Sequence, residues 1–164
     1  MDAVQIHNKI ISFLREKGPS LPINIAKELG ITSLFISAFL SELVNQNLIK
    51  VSYLKVGGSP LYFLEGQQEK LENYYKYLHP REAETYMFLK QYKVLKDTDQ
   101  DPVSRVALRS IRDFSYGFKI GEEIYWRFFS ANQEEVNEIL YGKKEEVKNQ
   151  NEIKKEEEEK KEIK

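Results

Sequence analysis

The stretch Ile25-Ala26-Lys27-Glu28-Leu29-Gly30-Ile31-Thr32, running on into Ile36-Ser37-Ala38-Phe39-Leu40-Ser41-Glu42-Leu43, decides how the first third of the chain is read. A short helix opens near Pro22, a residue tolerated in a first turn, and stops at Gly30. Thr32 then caps another helix whose Ile36, Phe39, Leu40 and Leu43 recur at the spacing of one buried face. Upstream, Asp2 is a good N-cap with Gln5 three residues on, and Val4, His7, Ile10, Ile11 and Leu14 follow at helical spacing until Gly18-Pro19. Downstream, Asn47 stands where a left-handed residue ends a helix. Residues 48–56 and 61–64 are strand-like and joined by Gly57-Gly58-Ser59-Pro60. The expected order is helix, helix, helix, hairpin.

With that order, the run from Ile25 to Thr32, the run from Ile36 to Leu43 and the continuation Val44-Asn45-Gln46-Asn47-Leu48-Ile49-Lys50 resemble the winged helix-turn-helix superfamily, in the form common among archaeal and bacterial transcription regulators. The resemblance covers residues 1–64. It implies that the third helix enters the major groove of double-stranded DNA, with Ser33, Leu34, Phe35, Ser37, Ala38 and Ser41 facing outward. None of these is Arg, Lys, Asn or Gln, the side chains that read guanine or adenine by paired hydrogen bonds. The serines Ser33, Ser37 and Ser41 remain able to bond phosphate or base edges, and Lys50 and Lys55 are placed to meet phosphates beside the wing. Leu34 and Phe35 carry a second reading: apolar groups at a helix start mark either a partner interface or a surface covered by the rest of the chain.

The remainder is read as a connecting helix over residues 65–79, a helix-helix-hairpin-helix unit over 80–142, and a Lys/Glu-rich solvated tail over 143–164. The second unit fits two descriptions equally, a degenerate second winged helix or an α+β cap on the first. Its predicted helix opening at Pro102 places Arg105, Arg109 and Arg112 within about 60° of one another, at about 100° per residue. They form either a phosphate- or guanine-binding face or a solvated face paired with Asp101, Asp113 or nearby Glu. The fold class expected for the whole is α+β, mainly α: a winged helix followed by a smaller α/β unit and a disordered tail.

Charge tempers the functional reading. The chain has 25 basic and 26 acidic residues in 164, so it lacks the strong positive charge of proteins that hold nucleic acid chiefly by phosphate contacts. Residues 1–64 carry six basic side chains against four acidic ones, and residues 65–142 carry eleven against fourteen. DNA binding therefore has to come from a local patch, and a homodimer is the usual remedy for a weak single site. Cysteine is absent, which excludes disulfides and thiolate metal sites. No apolar run approaches the roughly 18 residues of a membrane span, and the first residues lack a signal-peptide pattern, so a cytoplasmic protein is expected.

No Walker A loop, G-x-G-x-x-G, H-E-x-x-H or G-x-S-x-G occurs. Asp97-Thr98-Asp99-Gln100-Asp101 begins like a calcium loop, but Pro102 and Leu108 fill the positions that need glycine and a bidentate glutamate. The expectation is a non-enzymatic DNA-binding protein, a transcription regulator or chromatin-associated factor, with no cofactor and no metal. The alternative is a protein-interaction adaptor that uses Leu34 and Phe35.

Overall fold

A computed structural model describes residues 1–142; the segment read above as a charged tail lies outside the described residues. Helix α1 (Ala3–Lys17) starts on a complete capping box. The Gln5 backbone N–H donates to the Asp2 carboxylate at 2.8 Å, and the Asp2 N–H donates to the Gln5 side-chain oxygen at 3.1 Å. Its buried face is Ile6, Ile10 and Leu14, so Ile6 takes the place expected of Val4, which is exposed. Helix α2 (Pro22–Leu29) ends on Gly30 at φ 67°, and helix α3 (Ser33–Asn45) follows Thr32. Asn47 adopts φ 58°, the left-handed turn expected of it.

Strands β1 (Lys50–Val56) and β2 (Ser59–Phe63) form an antiparallel hairpin, and Ser20 bridges to Tyr62 on the far side of β2. The ladder shifts register between Val51 and Lys55. Ser52 fills the break: its hydroxyl donates to the Leu54 carbonyl at 2.6 Å and accepts the Leu61 N–H at 2.9 Å. A 3-10 segment, Gln68–Tyr77, then leads to helix α4 (Pro80–Tyr92), strand β3 (Val94–Lys96), a 3-10 turn at Asp97–Asp99, helix α5 (Pro102–Ser110), and strands β4 (Ser115–Ile120) and β5 (Glu123–Phe128). Residues 133–142 form a last helix, α6. The short strand β3, which carries Leu95, is absent from the helix-helix-hairpin-helix order expected of this unit.

The two halves have a similar strand order. In the first, the spatial order is Ser20, β2, β1; in the second it is β3, β5, β4. A single 3-10 turn stands in the second half where α2 stands in the first.

Alternation along the β2 edge joins the halves. Leu61 and Phe63 point into a core built with Leu71, Tyr86, Phe114 and Phe128, whereas Tyr62 and Leu64 pack on the core of α1 to α3. The hairpin is thus a wall shared by two cores. Within the second sheet, Gly117 stands opposite Trp126, and a Cβ there would lie 3.0 Å from the indole ring. Gly117→Ala is expected to force the ring aside and lower stability by about 1–3 kcal/mol, measurable by urea denaturation.

Candidate nucleic-acid interface

The chain turns through 113° between α2 and α3, the geometry of a helix-turn-helix pair. Ile36, Leu40 and Leu43 of α3 are fully buried against α1 and α2. Among the described residues nothing packs on its outward face. Leu34 is 79% exposed and Phe35 59%, and Ser33, Ser37, Ala38 and Ser41 are exposed with them. The possibility that the second unit covers Leu34 and Phe35 is therefore removed: that unit packs on the hairpin. Residues 1–64 form a winged helix.

The outward face of this winged helix carries no charge before Glu42, whose carboxylate lies 3.1 Å from His7 Nε2. Ser41 donates its hydroxyl to the Ser37 carbonyl at 3.0 Å, which satisfies it within the helix. Lys50 and Lys55 are both exposed on β1, at the two ends of the strand. Among the described residues no single helix is long and apolar enough to cross a membrane.

The arginines are distributed differently from the sequence expectation. Helix α5 ends at Ser110, and Ile111 leaves the helix at φ −82°, ψ 58°, so Arg112 is not on the face of Arg105 and Arg109. Those two converge on Asp97, a carboxylate 1% exposed. Arg105 donates from Nε and Nη2 to Oδ2 at 3.0 and 2.8 Å. Arg109 donates from Nη1 to Oδ1 at 2.7 Å and from Nη2 to Oδ2 at 3.1 Å. Trp126 Nε1 adds a fifth bond at 2.9 Å, and the Arg109 guanidinium lies 5.1 Å from the Trp126 ring centroid. The bonds from Arg109, with those from Trp126 and Arg105, hold the Asp97 carboxyl well below the usual carboxylate range against the opposing effect of burial. The pairing expected with Asp101, Asp113 or a glutamate is instead with Asp97. Asp101 caps α5 through the Ser104 N–H at 2.8 Å.

Arg112 lies over Tyr53 of β1, 5.4 Å from the ring centroid. Its neighbour Asp113 accepts the backbone N–H groups of Tyr53 at 3.1 Å and Leu54 at 2.8 Å, across the break in the β1 ladder. Burial raises the Asp113 carboxyl above its ordinary value, partly offset by these two bonds. Asp113 therefore fastens the second unit to the first at the point where β1 has lost its own partners. Neither Asp97 nor Tyr53 was singled out as functional from the sequence. The acidic run around Asp97 carried only the calcium-loop pattern, and Tyr53 had no motif around it.

No family model matches the chain, and no curated protein matches it. Solved structures similar to it include the Zalpha domain of Carassius auratus PKZ in complex with Z-DNA, at 31% identity over 38% of this chain and 95% of that one, with a TM-score of 0.34. They also include a hypothetical protein of Pyrobaculum spherical virus, at 15% identity over 76% of this chain and 94% of that one, with a TM-score of 0.39.

Proposed function

We propose that the chain is a DNA-binding protein that presents α3 to the major groove of duplex DNA and serves as a transcription regulator or chromatin-associated factor. The observation that carries this reading is the bare outward face of α3, flanked by the exposed cations Lys50 and Lys55 on the adjoining strand. Ser33 and Ser37 are the polar groups nearest a groove, and Ser41 is secondary because its hydroxyl is already used. Residues 80–142 are, on this reading, a degenerate second winged helix, supported by the repeated strand order. It braces the first through the shared hairpin rather than offering Arg105 and Arg109 to DNA.

Two lysines neutralise about two phosphates, so binding is weak and the slope of log affinity against log salt is near −2. Fluorescence anisotropy on a mixed-sequence duplex checks this. The Lys50→Ala, Lys55→Ala double variant is expected to flatten the slope, and Ser37→Glu on the groove face to abolish binding. Absence of duplex binding at low salt sinks the proposal.

A second reading is favoured by the exposure of Leu34 and Phe35 on an uncharged surface: α3 docks a protein partner or a second copy of this chain. It expects Phe35→Asp to abolish association in sedimentation or capture experiments while the fold persists.

A further inference from the structure

Two open clefts meet where the winged helix joins the second unit. One, of about 430 Å³, is lined by Lys50, Tyr53, Arg112, Asp113 and Tyr116 among others. The other, of about 510 Å³, shares Arg112 and Tyr116 and extends to Ser115, Gly117 and Trp126. Four features of this paired cleft point the same way. Tyr53 is 61% exposed and Tyr116 46%, and among the described residues no other aromatic ring stacks on either. Arg112 pairs with no carboxylate among the described residues, unlike Arg105 and Arg109. The acid beside it, Asp113, is committed to two backbone N–H groups. Ser115 is buried, and its hydroxyl has no hydrogen-bond partner among the described residues.

We propose that this cleft is a binding site for single-stranded nucleic acid. Tyr53 and Tyr116 supply ring faces for unpaired bases, and Arg112 and Lys50 meet the phosphates. Exposed rings interleaved with unpaired cations suit a strand whose bases show their faces, and a duplex shows only edges there. The site lies apart from the α3 face, shares only Lys50 with the duplex reading, and does not depend on duplex binding by α3.

The test uses the full chain with fluorescein-labelled oligothymidylate and oligouridylate of about twelve nucleotides, followed by anisotropy at several salt concentrations. Binding of either oligomer is expected, and the ratio between them identifies DNA or RNA as the source. Tyr116→Leu and Tyr53→Leu should each weaken it at least about fivefold, the lower end of base–aromatic stacking. Arg112→Gln should reduce the magnitude of the salt slope by about 0.7. Tyr116 is exposed, so its leucine variant is expected to melt like the parent, which keeps the result interpretable. Ser37→Glu on α3 should leave oligonucleotide binding unchanged. The proposal is overturned by no binding of either oligomer at low salt, by tyrosine variants that bind as the parent does, or by loss of binding in Ser37→Glu. Oligonucleotide binding without duplex binding would leave this cleft standing and remove only the duplex reading.

Discussion

Replacing Asp97 by asparagine is expected to lower the stability of the folded chain by about 2–3 kcal/mol, at or just below the low end of the cost of stripping one partner from a buried ion pair. The carboxylate is buried and accepts five hydrogen bonds, two from each of two guanidinium groups and one from an indole. Asparagine keeps the shape but offers one oxygen, and it turns an amide toward groups that only donate. The estimate sits at the low end because Arg105 and Arg109 are partly exposed and regain water once released. In a chain of this length the loss corresponds to a drop of about 5–10 °C in Tm, measurable by calorimetry. A Tm within a degree of the parent would show that the cluster contributes nothing.

The same cluster sets an acid limit. The Asp97 carboxyl is depressed in the folded state and returns to about 3.9 when the chain unfolds. Its stabilisation is therefore complete above about pH 5 and is lost as pH falls through and below 4, where the unfolded state takes up the proton first. The gap in stability between the parent and Asp97→Asn should hold constant from neutral pH to about 5 and close at lower pH. Arg109→Gln removes only part of the donor set and should cost less than Asp97→Asn. It should also leave the salt slope of duplex binding unchanged, because that guanidinium is already neutralised.

The parts of the fold that sequence made legible are those fixed by local chemistry. The Asp2–Gln5 capping box, the left-handed Asn47, the stop at Gly30 and the glycine turn of the first hairpin depend on a few adjacent residues, and each is where the residues place it. The partner of the arginine face was not legible because it is set at a distance. Arg105 and Arg109 have the spacing of a binding face, but Asp97 lies eight and twelve residues upstream, and only the 3-10 turn at Asp97–Asp99 brings it under them. Arg112 fell out of the face because α5 ends two residues before it, a boundary no strong stop signal marks. The paired cleft was invisible for the same reason: Tyr53 and Arg112 are 59 positions apart in the chain and meet only because Asp113 pins the α5–β4 corner to β1. The exposed face of α3, by contrast, followed from its pattern. What the pattern left open was whether another element lay on it.

The shared hairpin makes the second strong prediction, Leu61→Ala. Leu61 is fully buried on β2, and its side chain belongs to the core that holds Phe114, Tyr86 and Phe128, while its neighbour Tyr62 packs on the core of the winged helix. Truncation leaves a cavity in a rigid wall, at a cost of about 3 kcal/mol. With a urea m-value near 2 kcal/mol/M, the midpoint should fall by about 1.5 M. The more telling result concerns cooperativity. The single tryptophan, Trp126, lies in the second sheet and reports that half, whereas far-UV circular dichroism reports the helices of both halves. If the hairpin is one wall serving two cores, neither half keeps its core once the wall is lost, and the two signals should fall together in parent and variant alike. Transitions that separate, with Trp126 unfolding at lower urea while part of the helical signal persists to higher urea, would mean that the winged helix stands alone and the second unit is only appended to it. In that event Leu61→Ala would shift the fluorescence curve and split the helical curve into two steps, of which only the first moves. Coincident curves displaced by the same amount would instead show that the halves unfold as one unit, so that Tyr53 and Arg112, which come from different halves, stay together until the whole chain unfolds.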